Sequence, residues 1–518
     1  MGMRALIWLA LVTQMLGLVH AEERTGVVER KRKSEVNITV SQLPETLDPV
    51  AASNFQHFLL LQTVFDTLVR FNDAGRLVGS LAKRWNVEQD GTLYRFELKP
   101  EALFHDGTKV VAKDVAYSFA RHFWPGSKSA VASQLKDILE GAADLPQGAT
   151  PSGIRVEGER VVSFKLKAPY ASFLSVLTMP GYSVLSRAAA VDGRMIGSGA
   201  MVHHHLAQEK GWRLERNPRY HDGAAKMQGF MVRQDADFPH MVSAVASGET
   251  DMAMGVPPVD AFSTPPTGRV RLIQTKSLVF IHLFLLPRNP LLQDREFRRG
   301  LAGLIYSIFK QRRFRVASQE FTPYFIPMGI MPRGYYERTF PETTAEAFAQ
   351  KWHHGAGDRK LRIMLRETYF SREALAELRG AFARAGLEVA LEALTPQNFH
   401  PMLDSRDYDL ISIPYMSNFP DPDGFMDYLH PGRLFPADFK PSRDLLEALR
   451  RIPAGTHSKA RLDLYAKALR TFEDEWYVIP LFNVGLPMLC APGLHIPDTN
   501  YRFEAELRGI YWEAPEAP

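Results

Sequence analysis

Cysteine is almost absent: Cys490 is the single one in 518 residues, so no internal disulfide can form. An excess of one charge is missing as well. The 62 basic and 58 acidic side chains leave a formal charge of +4, and no basic patch carries the interleaved aromatics that would point to nucleic acid. The sharpest basic run, Arg30-Lys31-Arg32-Lys33, lies in a stretch, 22–34, that reads as a solvated leader tail. There is no Gly-x-Ser-x-Gly elbow, no His-Glu-x-x-His pair and no Gly-x-x-x-x-Gly-Lys loop, which argues against the hydrolase and nucleotide-binding classes those motifs mark. No internal repeat or low-complexity tract is visible. No apolar run long enough to span a bilayer follows residue 18, so the mature chain is expected to be soluble.

What is present begins with Arg4, an apolar core over 5–18 and a Val19-His20-Ala21 ending with small side chains where a signal peptidase reads. Residues 1–21 therefore read as a cleaved signal peptide, an uncleaved anchor being the alternative. No cysteine sits near that point, so lipid attachment is not expected. The length exceeds one ordinary domain and predicts two or three lobes.

The densest patterning runs over residues 64–123. Asp90-Gly91 is a tight-turn signal, and the run after it, Leu93-Tyr94-Arg95-Phe96-Glu97-Leu98, alternates as a half-buried strand; together they predict a hairpin. Phe104-His105-Asp106-Gly107-Thr108 predicts a second turn. Val115, Phe119 and Phe123 then recur at helical spacing until Pro125-Gly126 ends the helix. His105 beside Asp106 has the look of a catalytic pair, but a turn histidine next to an Asx-turn aspartate accounts for both.

Five short motifs here, Val64-Phe65-Asp66-Thr67-Leu68-Val69, Leu81-Ala82-Lys83-Arg84-Trp85, Asp90-Gly91-Thr92-Leu93-Tyr94-Arg95-Phe96, Phe104-His105-Asp106-Gly107-Thr108 and Asp114-Val115-Ala116-Tyr117-Ser118-Phe119, stand in an order that resembles the extracytoplasmic solute-binding proteins of family 5, the binding components of peptide and nickel ABC importers. The likeness continues in Ala168-Pro169-Tyr170-Ala171-Ser172-Phe173-Leu174, in Trp212-Arg213-Leu214-Glu215-Arg216-Asn217-Pro218-Arg219-Tyr220, in a helix capped by Asp294 with Phe297, Leu301, Leu304, Ile305 and Ile308 on one face, and in Arg461-Leu462-Asp463-Leu464-Tyr465. It departs at Gly197-Ser198-Gly199-Ala200-Met201, where the family has Gly-Thr-Gly-Pro-Tyr, and at Tyr306, which stands for a usual aspartate. The alternation of strand, helix and strand over 361–389 independently predicts an α/β lobe with a mainly parallel sheet.

The resemblance implies an α/β fold of the type II periplasmic binding protein, two lobes on a hinge with an extra third domain. It places lobe I in 35–65, 170–270 and 485–518, an accessory domain in 66–169 and lobe III in 271–484. It implies a periplasmic, non-enzymatic protein without cofactor, expected as a monomer, that captures a peptide or peptide-like solute and hands it to an inner-membrane ABC permease. Two alternatives stand behind it: capture of a nickel chelate or haem, and a secreted hydrolase on this scaffold.

Ligands of such sheets lie beyond the strand C-termini. Candidate cleft residues are therefore Asn54 and Phe55 after Leu47-Asp48-Pro49, Arg366 and Tyr369 after the strand 361–365, and Tyr415, Ser417, Asn418 and Asp421 in the loop delivered by the strand 408–413. In peptide-binding relatives this loop carries an aromatic residue and an aspartate that holds the ligand's α-ammonium. Aligned on Asp421-Pro422, Tyr415 takes the aromatic position and Asn418 the aspartate's. Losing a buried carboxylate partner costs roughly 2 to 5 kcal/mol of coupling to an ammonium, so the ligand is expected to lack a free amine. Asn418 as a plain turn cap is the competing reading, and Asp421-Pro422-Asp423 reads as a turn that starts a helix. His203-His204-His205 could suggest metal, but on a strand only His203 and His205 share a face, fewer than a good site needs. An exposed strand edge explains the triplet better.

Overall fold

A computed structural model describes residues 34–52, 55–72, 76–206, 211–255, 269–311, 319–322, 324–326, 340–352, 360–366, 369–395, 398–416, 421–426, 459–497 and 507–513. In chain order, β1 (Glu35–Val40) is followed by the helix Phe55–Val64, the small pair β2 (Val69–Phe71) and β3 (Leu77–Gly79), and the strands β4 (Ala82–Glu88), β5 (Leu93–Leu98), β6 (Ile154–Val156) and β7 (Val161–Lys165). Then come β8 (Met201–Leu206), β9 (Gly211–Arg216), β10 (Gly229–Gln234), β11 (Met252–Met254) and the long β12 (Arg271–Leu285). The last third holds β13 (Gln319–Phe321), β14 (Lys360–Leu365), β15 (Glu388–Ala393), β16 (Leu410–Met416) and the long return strand β17 (Val478–Cys490).

One sheet of 11 strands runs through both lobes in the order β15-β14-β16-β12-β17-β11-β1-β10-β9-β8, with β13 also on β17. On the first side β1 pairs in parallel with β10 and β11; on the other, β14 pairs in parallel with β15 and β16. Between them β12 and β17 lie antiparallel, Arg271 opposite Cys490 at one end and Phe284 opposite Val478 at the other, with register shifts between Thr275 and Val279 and between Ile281 and His282. Such breaks in a ladder concentrate bending, and here they fall where the two strands pass from one lobe to the other.

Three large apolar cores match three bodies. Val36, Ile38, Leu60, Trp212, Phe230 and Met488 belong to the first, and Phe284, Leu301, Leu410, Tyr465 and Phe482 to the last. The accessory body stands on the antiparallel sheet β4-β5-β7-β6, whose β5 buries alternate residues, and on the helix Ala112–Ala120. Its hairpin turns where expected, with Gln89, Asp90 and Gly91 all at positive φ (50°, 53° and 86°), a conformation that glycine supplies at least cost. Phe173, Val176, Leu177, Tyr182 and Val184 also pack in this core, so the stretch from 173 to 184, which sequence alone assigns to lobe I, is held in the accessory body. The short helix Phe173–Val176 turns its apolar side onto Tyr94 and Phe164, with ring centroids 4.6 and 5.7 Å from Phe173. No described helix is long and apolar enough to cross a membrane.

Candidate functional site

The C-terminal ends of the parallel strands define the rim where a solute could sit. On lobe I, β1 ends at Val40, and Ser41 beyond it accepts a hydrogen bond from Gln56 Nε2 at 3.2 Å. Phe55 begins the helix here; Asn54 lies outside the described residues. On lobe III, Arg366 follows β14 directly. Its backbone N–H donates to the buried Ser412 Oγ at 2.7 Å, and its guanidinium carbon stands 6.0 Å from the Phe399 ring centre. Tyr369 is half-buried, its carbonyl accepts from Gln319 Nε2, and burial pushes its phenol up.

Pro414 and Tyr415, expected in the loop, lie within β16, which runs on to Met416 and pairs Tyr415 with Phe280 of β12. Tyr415 is almost wholly buried, its ring packed with His282, Phe325 and Phe425 and its hydroxyl donating to the Gly424 carbonyl. Ser417 and Asn418 lie outside the described residues. Asp421 starts the turn into the helix Asp423–Met426: its Oδ1 accepts from Asp423 N–H at 3.0 Å, and its carbonyl accepts from Gly424 N–H at 3.0 Å.

The Asp421 carboxylate has no exposure, and it accepts from Arg461 Nη2 at 2.7 Å and from Ser172 Oγ at 2.8 Å. Asp423 meets the same Arg461 Nη2 at 3.0 Å and accepts from Tyr465 Oη. Burial and then the neighbouring Asp421 charge push the Asp423 carboxyl up to about 6, against the pull of Arg461 and Ser172. An ammonium could take Asp421 only by displacing an arginine already paired in a dry site. Sequence reading named Asp421 but neither Ser172 nor Arg461 as its partner. The legible signal was the spacing of Arg461 and Tyr465, four apart on one helix and so on one face.

A second polar hub lies at the other end of the helix Phe55–Val64. Asp66 is buried and accepts from Tyr220 Oη at 2.8 Å, Ser198 Oγ at 2.8 Å, Ser80 Oγ at 3.2 Å and, at 3.2 Å, faces His221 Nε2. Burial raises this carboxyl, but the combined pull of His221, Tyr220 and Ser198 outweighs it and holds the group at about 2. The Gly197-Ser198-Gly199 sequence is what delivers Ser198: a Cβ at Gly197 would lie 2.1 Å from the Val64 carbonyl oxygen, and one at Gly199 2.6 Å from that of Thr63. A cavity of about 40 Å³ borders this hub, lined by Thr63, Arg70, Ser183 and Arg508 among others.

His105 and Asp106 form no catalytic pair. His105 Nε2 is 3.1 Å from the Gly199 carbonyl and burial lowers its pKa, while Asp106 accepts from Thr108 N–H and Oγ1. His203 and His205 share one side of β8, an edge strand of the large sheet, and both pack on Trp212 with centroids 5.7 and 4.5 Å away. Among the described residues no three His, Cys, Asp or Glu side chains gather as a metal site.

Two α/β lobes sharing one sheet through a pair of long crossover strands, with a third body on the first lobe, have the architecture of the type II periplasmic-binding-protein fold. Comparison with known proteins gives the branch. The pattern of the bacterial extracellular solute-binding proteins, family 5 (middle region), matches residues 76–433, and the chain belongs to this family. The probable D,D-dipeptide-binding periplasmic protein DdpA of Escherichia coli is 23% identical over 475 residues, 85% of this chain and 86% of its own length. Among solved structures, the substrate-binding protein CtaP of Listeria monocytogenes superposes with a TM-score of 0.77 at 18% identity, covering 93% of this chain and 100% of that one. The periplasmic binding protein DppA of Helicobacter pylori, solved with the peptide STSA, gives 0.73 at 17% identity, with coverage of 94% and 100%. At these identities the two structures establish the shared fold alone.

Proposed function

We propose that this chain is the periplasmic substrate-binding component of an ABC importer, capturing a short peptide or peptide-like solute between its lobes and delivering it, as a monomer, to an inner-membrane permease. The observation that carries this reading is the C-terminal end of β16 at Met416, beside the C-terminal end of β14 at Leu365 in the same sheet, since ligands of such sheets lie beyond the strand C-termini. Family membership and the likeness to DdpA, a probable D,D-dipeptide-binding protein, support a peptide as cargo. Arg366, just past β14, offers a fork suited to a carboxylate or backbone carbonyl. Asn418 in place of an acid, together with Asp421 committed to Arg461, favours a cargo without a free amino terminus. Asn54, Phe55, Tyr369 and Ser417 complete the proposed wall, and Tyr415 supports it from beneath. The solute stabilises the closed form by its differential affinity for it.

The test is mass spectrometry of whatever copurifies with the protein. Blocked, cyclic or otherwise amine-free peptides are expected; a nickel chelate, haem or an unrelated sugar in stoichiometric amount overturns the reading.

A further inference from the structure

Ser172 and its partners belong to different bodies. Ser172 precedes the helix Phe173–Val176, whose Phe173 and Val176 are fully buried in the accessory core. Phe425 and Tyr465, beside Asp423 and Arg461, are fully buried in the core of lobe III. The Ser172 hydroxyl oxygen nevertheless lies 2.8 Å from Asp421 Oδ1, 2.5 Å from Asp423 Oδ2 and 2.9 Å from Arg461 Nη2. Neither Ser172 nor Asp421 has any exposure.

A hydroxyl carries one proton and two lone pairs. Its one proton goes to Asp421 or to Asp423, whose carboxylate oxygens both lie within reach, and it accepts from Arg461. A buried contact bridging 249 residues of chain, with three polar partners around one hydroxyl, is a built joint rather than a grazing touch.

The lobes are linked through β12 and β17, whose ladder shifts register between Thr275 and Val279; a rotation there would carry lobe III away from lobe I. The accessory body is attached to lobe I through Arg70 of β2, paired with Asp222, and through the Asp66 hub, so it would move with lobe I, and such a rotation would separate Ser172 from Asp421. We propose that Ser172 is a positioning residue for solute capture: in the closed arrangement it fastens the Asp421–Asp423 turn of lobe III to the accessory body, giving a body remote from the strand C-termini a share in holding the clamp shut. This rests on the reading of the β16 end as part of the cleft wall.

The experiment needs no cargo. Spin labels on Arg84→Cys, in the accessory sheet, and Arg384→Cys, in lobe III, both exposed, report the separation of the two bodies, and Cys490 is buried from the reagent. Protein stripped of copurified solute by unfolding and refolding is measured by double electron–electron resonance. A population at the closed separation is expected in the parent, reduced roughly tenfold by Ser172→Ala, the worth of one hydrogen bond to a charged group, and restored by Ser172→Thr, which keeps the hydroxyl. Identical distance distributions in the parent and the alanine variant, or a parent with the open separation alone, would overturn the proposal. Because no solute is added, either result leaves the peptide reading untouched.

Discussion

Replacing Asp66 by asparagine tests how the accessory body is welded to lobe I. The side chain keeps its shape but loses its charge. One oxygen still faces Ser80 and Tyr220, at 3.2 and 2.8 Å, while the new amide nitrogen confronts Ser198 and His221, at 2.8 and 3.2 Å, all within a site where Asp66 is 5% exposed and His221 1%. Two charge-assisted bonds become neutral ones, and two donors meet a donor. With charged hydrogen bonds at about 1.5–3 kcal/mol and neutral ones at about half that, the cost is about 3–5 kcal/mol, the range for breaking a buried pair. The acid limb supplies a second check. A folded pKa of about 2 against an ordinary aspartate value of 3.8 stabilises the native state by about 2.5 kcal/mol above the higher value, and this is lost as pH falls towards the lower one. Urea unfolding followed by tryptophan emission should therefore show the asparagine variant destabilised at neutral pH and less sensitive than the parent to acid over that window. A cost under about 1 kcal/mol, or an unchanged acid limb, would refute the reasoning.

Arg461→Met should cost about 3–5 kcal/mol, because Asp421 and Asp423 would then face each other buried without a cation; denaturant midpoints measure it, and a near-neutral result contradicts the assignment. Asp423 behaves oppositely to Asp66. Its pKa is raised to about 6, so its share of stability is full below 3.8 and lost as pH rises through 6, by about 3 kcal/mol among Asp421, Arg461, Tyr465 and Ser172. Asp423→Asn should flatten the pH dependence of stability across that window, and an unchanged slope would place the proton elsewhere. Asn418→Asp should raise affinity for free-amine peptides over acetylated ones by roughly 10- to 100-fold in calorimetric titration; equal affinities would show that this side chain does not meet the ligand's terminus.

Much of the fold could be read from local pattern. The hairpin at Asp90-Gly91, the helix under Asp294 and the parallel unit over 361–393 all rest on short-range chemistry, namely turn residues, a capping carboxylate and alternating burial, and the structure forms each. The position of Phe173–Val176 did not yield to that method, because which core a four-residue helix joins is decided by rings distant in sequence, Tyr94 and Phe164. The site was legible in part for the same reason. The loop and Asp421 follow from a strand and an Asp-Pro pair, but the commitment of Asp421 to Arg461 and Ser172 depends on contacts 40 and 249 residues away. The 197–201 stretch departs from the family pattern at Ser198, Ala200 and Met201 but keeps both glycines, and in three dimensions they let the backbone close on the carbonyls of Thr63 and Val64 so that Ser198 reaches Asp66.

The most direct test of the central claim is a calorimetric titration of the stripped protein with matched sets of short peptides, free and acetylated at the amino terminus. Saturable binding of at least one acetylated peptide, no weaker than that of its free-amine twin, is the predicted result. Failure of both sets to bind, or tight binding confined to peptides with a free amine, would contradict the account.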